Sequence, residues 1–458
     1  MEFDQHVVAK QEQKAAVWLR LWSSRSPEIL SMQLAQKHRP GKPTSACLWK
    51  SGAFNICYRV RYDEGSDVIV RIAALGRAIL RREKVRNEVA TMRYLSHTTS
   101  IPVPEVFGSG ICWAGPYIVM SFLEGMPLSQ VLKDPSVEGR PVLNPQISDR
   151  SLKRAYREMA GLILELSKHE FDTIGALEET ERGLSITRRP LTFNMNELMV
   201  SANLPEEVFP SHTFSSATDY FQALARQHLS HLRLQEHDAV SSEEDCRKKF
   251  TARCLFLNIT KKLGTEHTQG PFRLYCDDFR PSNILIDLDT TRGFRVSGVI
   301  DWEFTYTAPA EFIQVAPWWL LLQSLEDWEG DLNEFLIRYT PRLHTFLEVL
   351  SDCENKLIEQ HLLSESQRLS PRMALSMETG LFWVCLAARY SSMFDEIYWS
   401  FIDQRYHGAF ISLDARMRLL DPEQQREMDE LVRLKTAQCA TAQEGFNDHY
   451  PIDQLLEL

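Results

Sequence analysis

Short runs of β-branched and aromatic residues, separated by turn residues, mark the first part of the chain. These runs predict strands at 47–50, 57–62, 67–72, 105–110 and 117–122, and the first three predict a small antiparallel sheet. Between the third and fourth runs, Val85, Val89 and Met92 recur at the spacing of one buried helical stripe. We therefore predict a helix over 77–96, and a shorter helical segment over 15–22 ahead of the sheet.

Beyond residue 127 the pattern is mainly helical. Helical periods cover 152–168 and 218–234, and 311–458 is a Trp- and Leu-rich helical tail. Residues 184–193 are instead rich in β-forming residues, and a hairpin is predicted from 283–287 and 294–301, around a turn at 288–293.

Together these patterns predict an α+β fold with two lobes. We divide the chain into a helical extension at 1–45, a sheet-and-helix lobe at 46–125 and a larger, mainly helical lobe at 126–458. Residues 123–127 have little character of helix or strand, and we interpret them as the connector between the lobes.

Composition narrows the classes of protein that remain. The 458 residues include 44% hydrophobic and 25% charged residues, which is ordinary globular usage. Lys and Arg number 51 and Asp and Glu number 62, giving 51 − 62 = −11, so a nucleic-acid partner is not expected. The most apolar stretches are too short to span a bilayer, so no membrane partner is expected either.

Nine cysteines, an odd number with no Cys-x-x-Cys pair, indicate neither a disulfide framework nor a zinc site. The N-terminal segment also lacks the apolar core of a signal peptide. We therefore expect a cytoplasmic protein. Nothing in the sequence indicates its oligomeric state.

The segment 275–303 carries the chain's most informative pattern. It reads YCDDFRPSNILIDLDTTRGFRVSGVIDWE, in which Asn283 follows Asp278 by five residues and Asp301 ends the predicted hairpin. Phosphoryl transfer from ATP needs a carboxylate that orients and deprotonates the attacking hydroxyl, and oxygen ligands that hold magnesium. A loop with Asp-x-x-x-x-Asn beside a hairpin that delivers a second Asp supplies both. In a purely structural interpretation, the same residues are turn-formers and a strand-end cap.

This segment resembles the catalytic core of the aminoglycoside phosphotransferase and choline kinase families, which share the two-lobed protein-kinase-like fold. Their pattern, His-x-Asp-x-x-x-x-Asn followed by Ile-Asp-Trp/Phe-Glu, stands here as Cys276-x-Asp278-x-x-x-x-Asn283 and Ile300-Asp301-Trp302-Glu303. The wording looks especially like a fungal branch of these phosphotransferases, over about residues 45–330. The resemblance implies ATP and Mg²⁺ as cofactors, Asp278 as the catalytic base, and Asn283 and Asp301 as magnesium ligands.

The same resemblance assigns nucleotide contacts in the first lobe. Ser51 and Gly52 lie in the turn that would close over the phosphates, where a residue without a Cβ lets backbone N–H groups approach. Arg71 lies in an apolar run and needs an anionic partner, for which Glu88 is the candidate. The resemblance implies an Arg71–Glu88 ion pair, with Arg71 reaching the α- and β-phosphates. The structural alternative is an ordinary hairpin turn and a surface Arg and Glu.

Residues 117–123 resemble the strand and hinge that receive adenine. In that comparison Met120 lines the pocket, and the backbone of Ser121 to Leu123 offers hydrogen bonds to the base. In the structural alternative this segment is a plain core strand.

Several residues keep two interpretations. Cys276 replaces the family histidine, and we expect it to be a packed core residue rather than a reactive thiol. Glu303 is either a ligand of a second metal ion or a loop cap, and Asp277 and Arg280 either contact substrate or are solvated charges. Trp318 and Trp319 are expected to lie in the core.

The predicted reaction moves the γ-phosphoryl group of ATP to a hydroxyl of a small-molecule acceptor whose identity the sequence does not fix. No Asp-Phe-Gly or Ala-Pro-Glu activation segment follows Asp301, so a protein acceptor is less favoured. The alternative function is a catalytically inactive, kinase-like nucleotide-binding or scaffold protein.

Overall fold

A computed structural model of the chain describes residues 1–181, 183–263, 268–289 and 293–442. It opens with two helices, α1 (Gln5–Ser24) and α2 (Pro27–His38). The carboxylate of Asp4 accepts the first free N–H groups of α1, which fixes where that helix begins. The predicted segment 15–22 is thus the second half of a longer helix.

A five-stranded antiparallel sheet follows these helices. Its strands are β1 (Pro43–Ser51), β2 (Asn55–Tyr62), β3 (Asp67–Ala73), β4 (Val106–Cys112) and β5 (Gly115–Ser121), in the spatial order β1-β2-β3-β5-β4. All five predicted strands are present, although β1 begins inside the stretch assigned to the extension. A single helix, α3 (Arg81–Thr98), connects β3 to β4.

Side chains alternate between the two faces of this sheet, as the pleat requires. One face, with Tyr58, Val70 and Val119, packs against Trp18 and Trp22 of α1. The other face carries Ile69, Ile118 and Met120, which join the core that α3 shares with the rest of the chain. The second face of the sheet is therefore the one that looks toward the remainder of the protein.

The larger part of the chain is mainly helical, as predicted. Its helices are α4 (Leu128–Leu132), α5 (Asp149–Ser167), α6 (Phe193–Ser201), α7 (Ala217–Leu234), α8 (Glu243–Lys262), α9 (Glu311–Gln314), α10 (Leu332–Glu359), α11 (Ser370–Thr379), α12 (Leu381–Arg389), α13 (Phe394–Ile397), α14 (Asp403–His407), α15 (Leu413–Met417) and α16 (Pro422–Ala442). The two-lobed α+β expectation is confirmed. Both Trp318 and Trp319 lie in the core, also as expected.

Short strands accompany these helices and differ in part from the prediction. They are β6 (Met126–Pro127), β7 (Glu170–Phe171), β8 (Ala176–Thr180), β9 (Gly183–Arg188), β10 (Phe272–Cys276), β11 (Ile284–Asp289), β12 (Gly293–Val299) and β13 (Thr305–Ala308). The last two residues of the segment interpreted as the connector, 123–127, form β6, which pairs with β11. The strand predicted at 184–193 ends at Arg188, and Thr192 then caps α6.

Two loops are brought side by side by these strands. The first connects β10 to β11, the second connects β12 to β13, and β10 pairs with β13 while β11 pairs with β12. Both loops therefore lie at the same end of the paired strands. The tip of the predicted hairpin turn, residues 290–292, and the tail after residue 442 lie outside the described residues.

None of the helices in the described ranges combines the length and apolar character that crossing a membrane requires. The cytoplasmic location stays a prediction.

Candidate active site

Asp278, Asn283 and Asp301 converge where the two loops meet. The side-chain amide of Asn283 donates to both the carbonyl and the carboxylate of Asp278, at 2.9 Å each. The N–H of Ile300 donates to the carbonyl of Asn283 at 2.9 Å, which brings Asp301 beside the first loop. The spacing that suggested a functional group in the sequence is thus a spatial cluster.

Asp278 lies in an environment suited to a base. Burial raises the pKa of its carboxyl to about 6, while the Arg280 guanidinium and the Asn283 amide oppose that rise. Arg280 Nε lies 2.9 Å from Asp278 Oδ1. Because Arg280 remains 40% exposed, this ion pair faces the solvent side of the site.

Asp301 is held in an unusual backbone conformation. Its φ is +61°, and that of Phe304 is +58°, a left-handed region that non-glycine residues seldom occupy. The indole N–H of Trp302, between them, donates to the carbonyl of Val299 at 3.0 Å and is buried. The resulting turn leaves the Asp301 side chain 31% exposed, so an ion or ligand can reach it.

Arg71, on β3, is buried to 3% exposure and contacts three carboxylates. Its Nη1 hydrogen-bonds Glu88, so the predicted ion pair is present. Its Nη2 lies 3.0 Å from Asp301 Oδ1 and 3.0 Å from Glu303 Oε2. Burial raises the pKa of Glu88 to about 7, although Arg71 opposes the rise. Arg71 thereby joins the sheet lobe to the loop that carries Asp301.

Lys84 and Asn55 complete this network, and sequence reasoning missed both. Lys84 Nζ contacts Glu303 and donates to Asn55 Oδ1 at 2.9 Å, while Asn55 Nδ2 donates to Glu303 Oε2 at 3.0 Å. Burial alone would raise the pKa of Glu303, but Lys84 and Arg71 lower it to about 2. The one signal available was that Lys84 precedes Glu88 by four residues and so shares its helix face.

Ser51 and Gly52 lie at the start of the turn between β1 and β2, which leads into Asn55 of this network. The N–H of Gly52 donates to the carbonyl of Asn55 at 2.8 Å, which closes the turn. A Cβ on Gly52 would meet only that carbonyl, at an ordinary 3.5 Å. The protein's own packing therefore does not require glycine there, and the predicted phosphate contact remains a reason for it.

The ring of Phe54, in the same turn, packs against two aromatic rings from the larger part of the chain. Its centroid lies 5.7 Å from that of Phe193 and 5.5 Å from that of Phe304, and those two rings lie 5.7 Å apart. All three pairs are edge-to-face, the geometry that favours aromatic attraction.

In the predicted hinge, two of the backbone N–H groups already donate hydrogen bonds within the protein. The N–H of Ser121 donates to the carbonyl of Glu105 at 2.8 Å, and that of Phe122 donates to Asp67 at 3.2 Å. Within the described residues, no backbone acceptor is found for the N–H of Leu123. That this segment binds adenine stays a prediction, in which the N–H of Leu123 and the backbone carbonyl groups of the segment are the groups left to contact the base. Met120 is buried.

Cys276 is a core residue, as expected. Its Sγ lies 3.9 Å and 3.8 Å from the carbonyl oxygens of Asp301 and Glu303, so the thiol bridges the two loops, and burial raises its pKa. Asp277 is not a solvated charge. It is buried, accepts the N–H of Phe193 at 2.9 Å, and lies near Arg389.

Magnesium would find the oxygen ligands it prefers in the amide carbonyl of Asn283 and the exposed carboxylate of Asp301. The donated hydrogen bonds of Asn283 come from its Nδ2, which leaves its Oδ1 facing away from those partners. In the ranges that the structure describes, no group of three or more His, Cys, Asp or Glu side chains could hold a metal ion. The fit therefore concerns one carboxylate and one amide, as a magnesium ion that keeps its waters requires.

The match to a known protein family agrees with the motif. The sequence model of the phosphotransferase enzyme family matches residues 50–312. Similar solved structures include the GDP complex of wild-type aminoglycoside 2′-phosphotransferase-IIIa, at 14% identity and a TM-score of 0.39, covering 88% of this chain and 97% of that one. Another is a putative fructosamine-3-kinase from Haemophilus somnus, at 12% identity and a TM-score of 0.41, covering 88% and 96%.

A third is the macrolide 2′-phosphotransferase MphH from Brachybacterium faecium, at 13% identity and a TM-score of 0.38, covering 83% of this chain and 98% of that one. A search of curated proteins finds no significant match.

Proposed function

The chain belongs to the phosphotransferase enzyme family, and we propose that it transfers the γ-phosphoryl group of ATP to a hydroxyl group of a small molecule. Asp278 accepts the hydroxyl proton as the hydroxyl oxygen bonds to the γ-phosphorus. The bond from that phosphorus to the β–γ bridging oxygen breaks, and ADP leaves with the electron pair. With a pKa of about 6, the Asp278 carboxyl is ionised at neutral pH and can take that proton.

Asn283 and Asp301 would hold magnesium at the phosphates. When bound, the metal neutralises negative charge that develops on the transferred group. Asn283 has a second task, because its amide N–H groups fix the carboxylate of Asp278. Arg71 keeps Asp301 in place from the sheet side.

The observation that carries the proposal is the convergence of Asp278, Asn283 and Asp301 in one cluster. An inactive scaffold has no need to bury a carboxylate whose pKa is raised and to hold another in a left-handed conformation. Lys84, Asn55 and Arg71 all contact Oε2 of Glu303 and hold that carboxylate in the buried network. Of its two sequence interpretations, we therefore favour the structural one.

The experiment is a calorimetric titration of ATP into the purified protein, with and without magnesium. We expect ATP to bind the wild type in a magnesium-dependent manner. We expect its affinity for Asp301→Asn to be at least roughly tenfold lower. Asp278→Asn is expected to bind ATP and to fail in phosphoryl transfer to a panel of small alcohols.

Asp287→Asn is the matched control, because Asp287 lies on β11 in a loose, exposed pair with Arg295 at 3.9 Å. A folded wild type without magnesium-dependent ATP binding would overturn the proposal.

A further inference from the structure

A lysine is buried between the second loop and the β1–β2 turn. Lys84, on α3, is 1% exposed, and its ammonium contacts Glu303 of the second loop and Asn55 of the turn. Burying an ammonium group is costly unless charge and hydrogen bonds compensate it. Here Glu303 and Asn55 supply that compensation.

Around Lys84, the sheet lobe and the second loop contribute charges of opposite net sign. The sheet lobe contributes two cations, Arg71 and Lys84, and one carboxylate, Glu88. The missing negative charge arrives from Asp301 and Glu303 on the second loop. Glu303 is the centre of this arrangement because Arg71, Lys84 and Asn55 all meet its Oε2.

A second contact connects the same two segments. Phe54 and Phe304 flank Asn55 and Glu303 in the sequence, and their rings pack edge to face. Lys84 Nζ lies 6.0 Å from the centroid of each ring, within the distance at which a cation is attracted to an aromatic face. The ammonium therefore contacts both the polar link and the aromatic link.

We propose that Lys84 is a positioning residue of the transfer reaction, acting through Asn55 and Glu303. It fixes the β1–β2 turn against the segment that carries Asp301, so that the phosphate-facing turn and the metal-facing carboxylate keep one relative placement before nucleotide arrives. This inference rests on the proposed function for its consequence in catalysis, but not for the coupling itself.

Removing Lys84 leaves Glu303 to Arg71 and Asn55 alone. The Arg71 guanidinium is then drawn from Asp301 toward Glu303, and the side-chain Oδ1 of Asn55 loses the Lys84 donor. Both the turn and Asp301 become less well placed. Misplacement of reacting groups by about 1 Å can reduce the rate on the order of 100-fold.

The test compares Lys84→Met with Lys84→Arg, Asn55→Ala and the control Arg86→Met, which removes an exposed cation from the same helix. Hydrogen–deuterium exchange of the nucleotide-free protein is measured by mass spectrometry. We expect faster exchange in Lys84→Met at 51–55 and at 301–304, without a change in the rest of the chain. Asn55→Ala is expected to affect mainly 51–55, and Lys84→Arg to restore part of the protection.

Steady-state kinetics form the second measurement. Lys84→Met is expected to lower kcat per folded molecule by roughly tenfold or more, and Arg86→Met to leave it unchanged. A uniform rise in exchange, or exchange at 51–55 and 301–304 equal to that of Arg86→Met, would overturn the coupling. If the wild type transfers no phosphate, the proposed function fails, while the exchange comparison still decides whether Lys84 joins the two segments.

Discussion

Replacing Arg280 with glutamine tests how the protein sets the pKa of its candidate base. In the wild type, burial raises the pKa of Asp278 to about 6 and the Arg280 guanidinium limits the rise. Arg280→Gln keeps a side chain of similar length and removes only the charge. Without the guanidinium, the ionised form of Asp278 loses stabilisation, so its pKa must rise further.

The size of the effect follows from the distance and the exposure. A pair of unit charges about 4 Å apart attracts by about 1 kcal/mol in water and about 4 kcal/mol at an effective dielectric constant near 20. Arg280 Nε lies 2.9 Å from Asp278 Oδ1, but the arginine is 40% exposed, so solvent screens the pair. We take roughly 1.4 kcal/mol, which is about one pKa unit and places the variant near 7.

The assay is the pH dependence of kcat between pH 5 and 9. A base with a pKa of about 6 is half ionised at pH 6, whereas one near 7 is roughly one-tenth ionised there. Since only the ionised form accepts the proton, activity is lost as pH falls through the pKa. Arg280→Gln should therefore show its acid limb about one unit higher and recover at pH 8 to 9.

Arg295→Gln, on the exposed hairpin, is the control and should keep the wild-type limb. A constant loss of activity at every pH, with the limb unmoved, would refute this account of Arg280. A wild type without any acid limb near pH 6 would refute the assignment of Asp278 as the base.

Three further predictions concern the residues beside Asp278. Asp277→Asn is expected to lower the free energy of unfolding by about 3 kcal/mol in urea titrations, because Asp277 lies buried near Arg389 and accepts the N–H of Phe193. A loss of stability no larger than that of the exposed control Asp287→Asn would contradict this prediction. Cys276→Ala is expected to keep the wild-type kcat while losing about 1 kcal/mol of stability. In the native protein, iodoacetamide should label exposed Cys47 and spare Cys276, and rapid labelling of Cys276 would contradict its place in the core.

Local patterns were sufficient to predict the sheet, the helix after it and the cluster of Asp278, Asn283 and Asp301. In each case the signal lies within one segment of the chain: runs of β-branched and aromatic residues between turns, a helical stripe, or fixed spacing around a loop. The Arg71–Glu88 pair was also predicted, because a cation in an apolar strand needs an anionic partner and the resemblance to the phosphotransferase families implied that Glu88 supplies it.

Lys84 and Asn55 were not predictable in the same way. Lys84 is one of several cations at the start of α3. Its neighbours Arg82 and Arg86 are exposed, whereas Lys84 is buried. Which of these cations turns inward depends on Glu303, more than 200 residues away. The hydrogen bonds that the strands take from Ser121 and Phe122 are likewise set by long-range pairing.

The division of charge in the buried network bears on how the protein unfolds. Separated from the second loop, the sheet lobe would keep two inward cations, Arg71 and Lys84, against the single carboxylate of Glu88. The second loop would in turn keep Glu303 without a counter-ion. Neither piece can stay folded alone without exposing or neutralising these groups, since an uncompensated buried charge costs several kcal/mol. The charge network therefore favours folding of the two lobes as one cooperative unit.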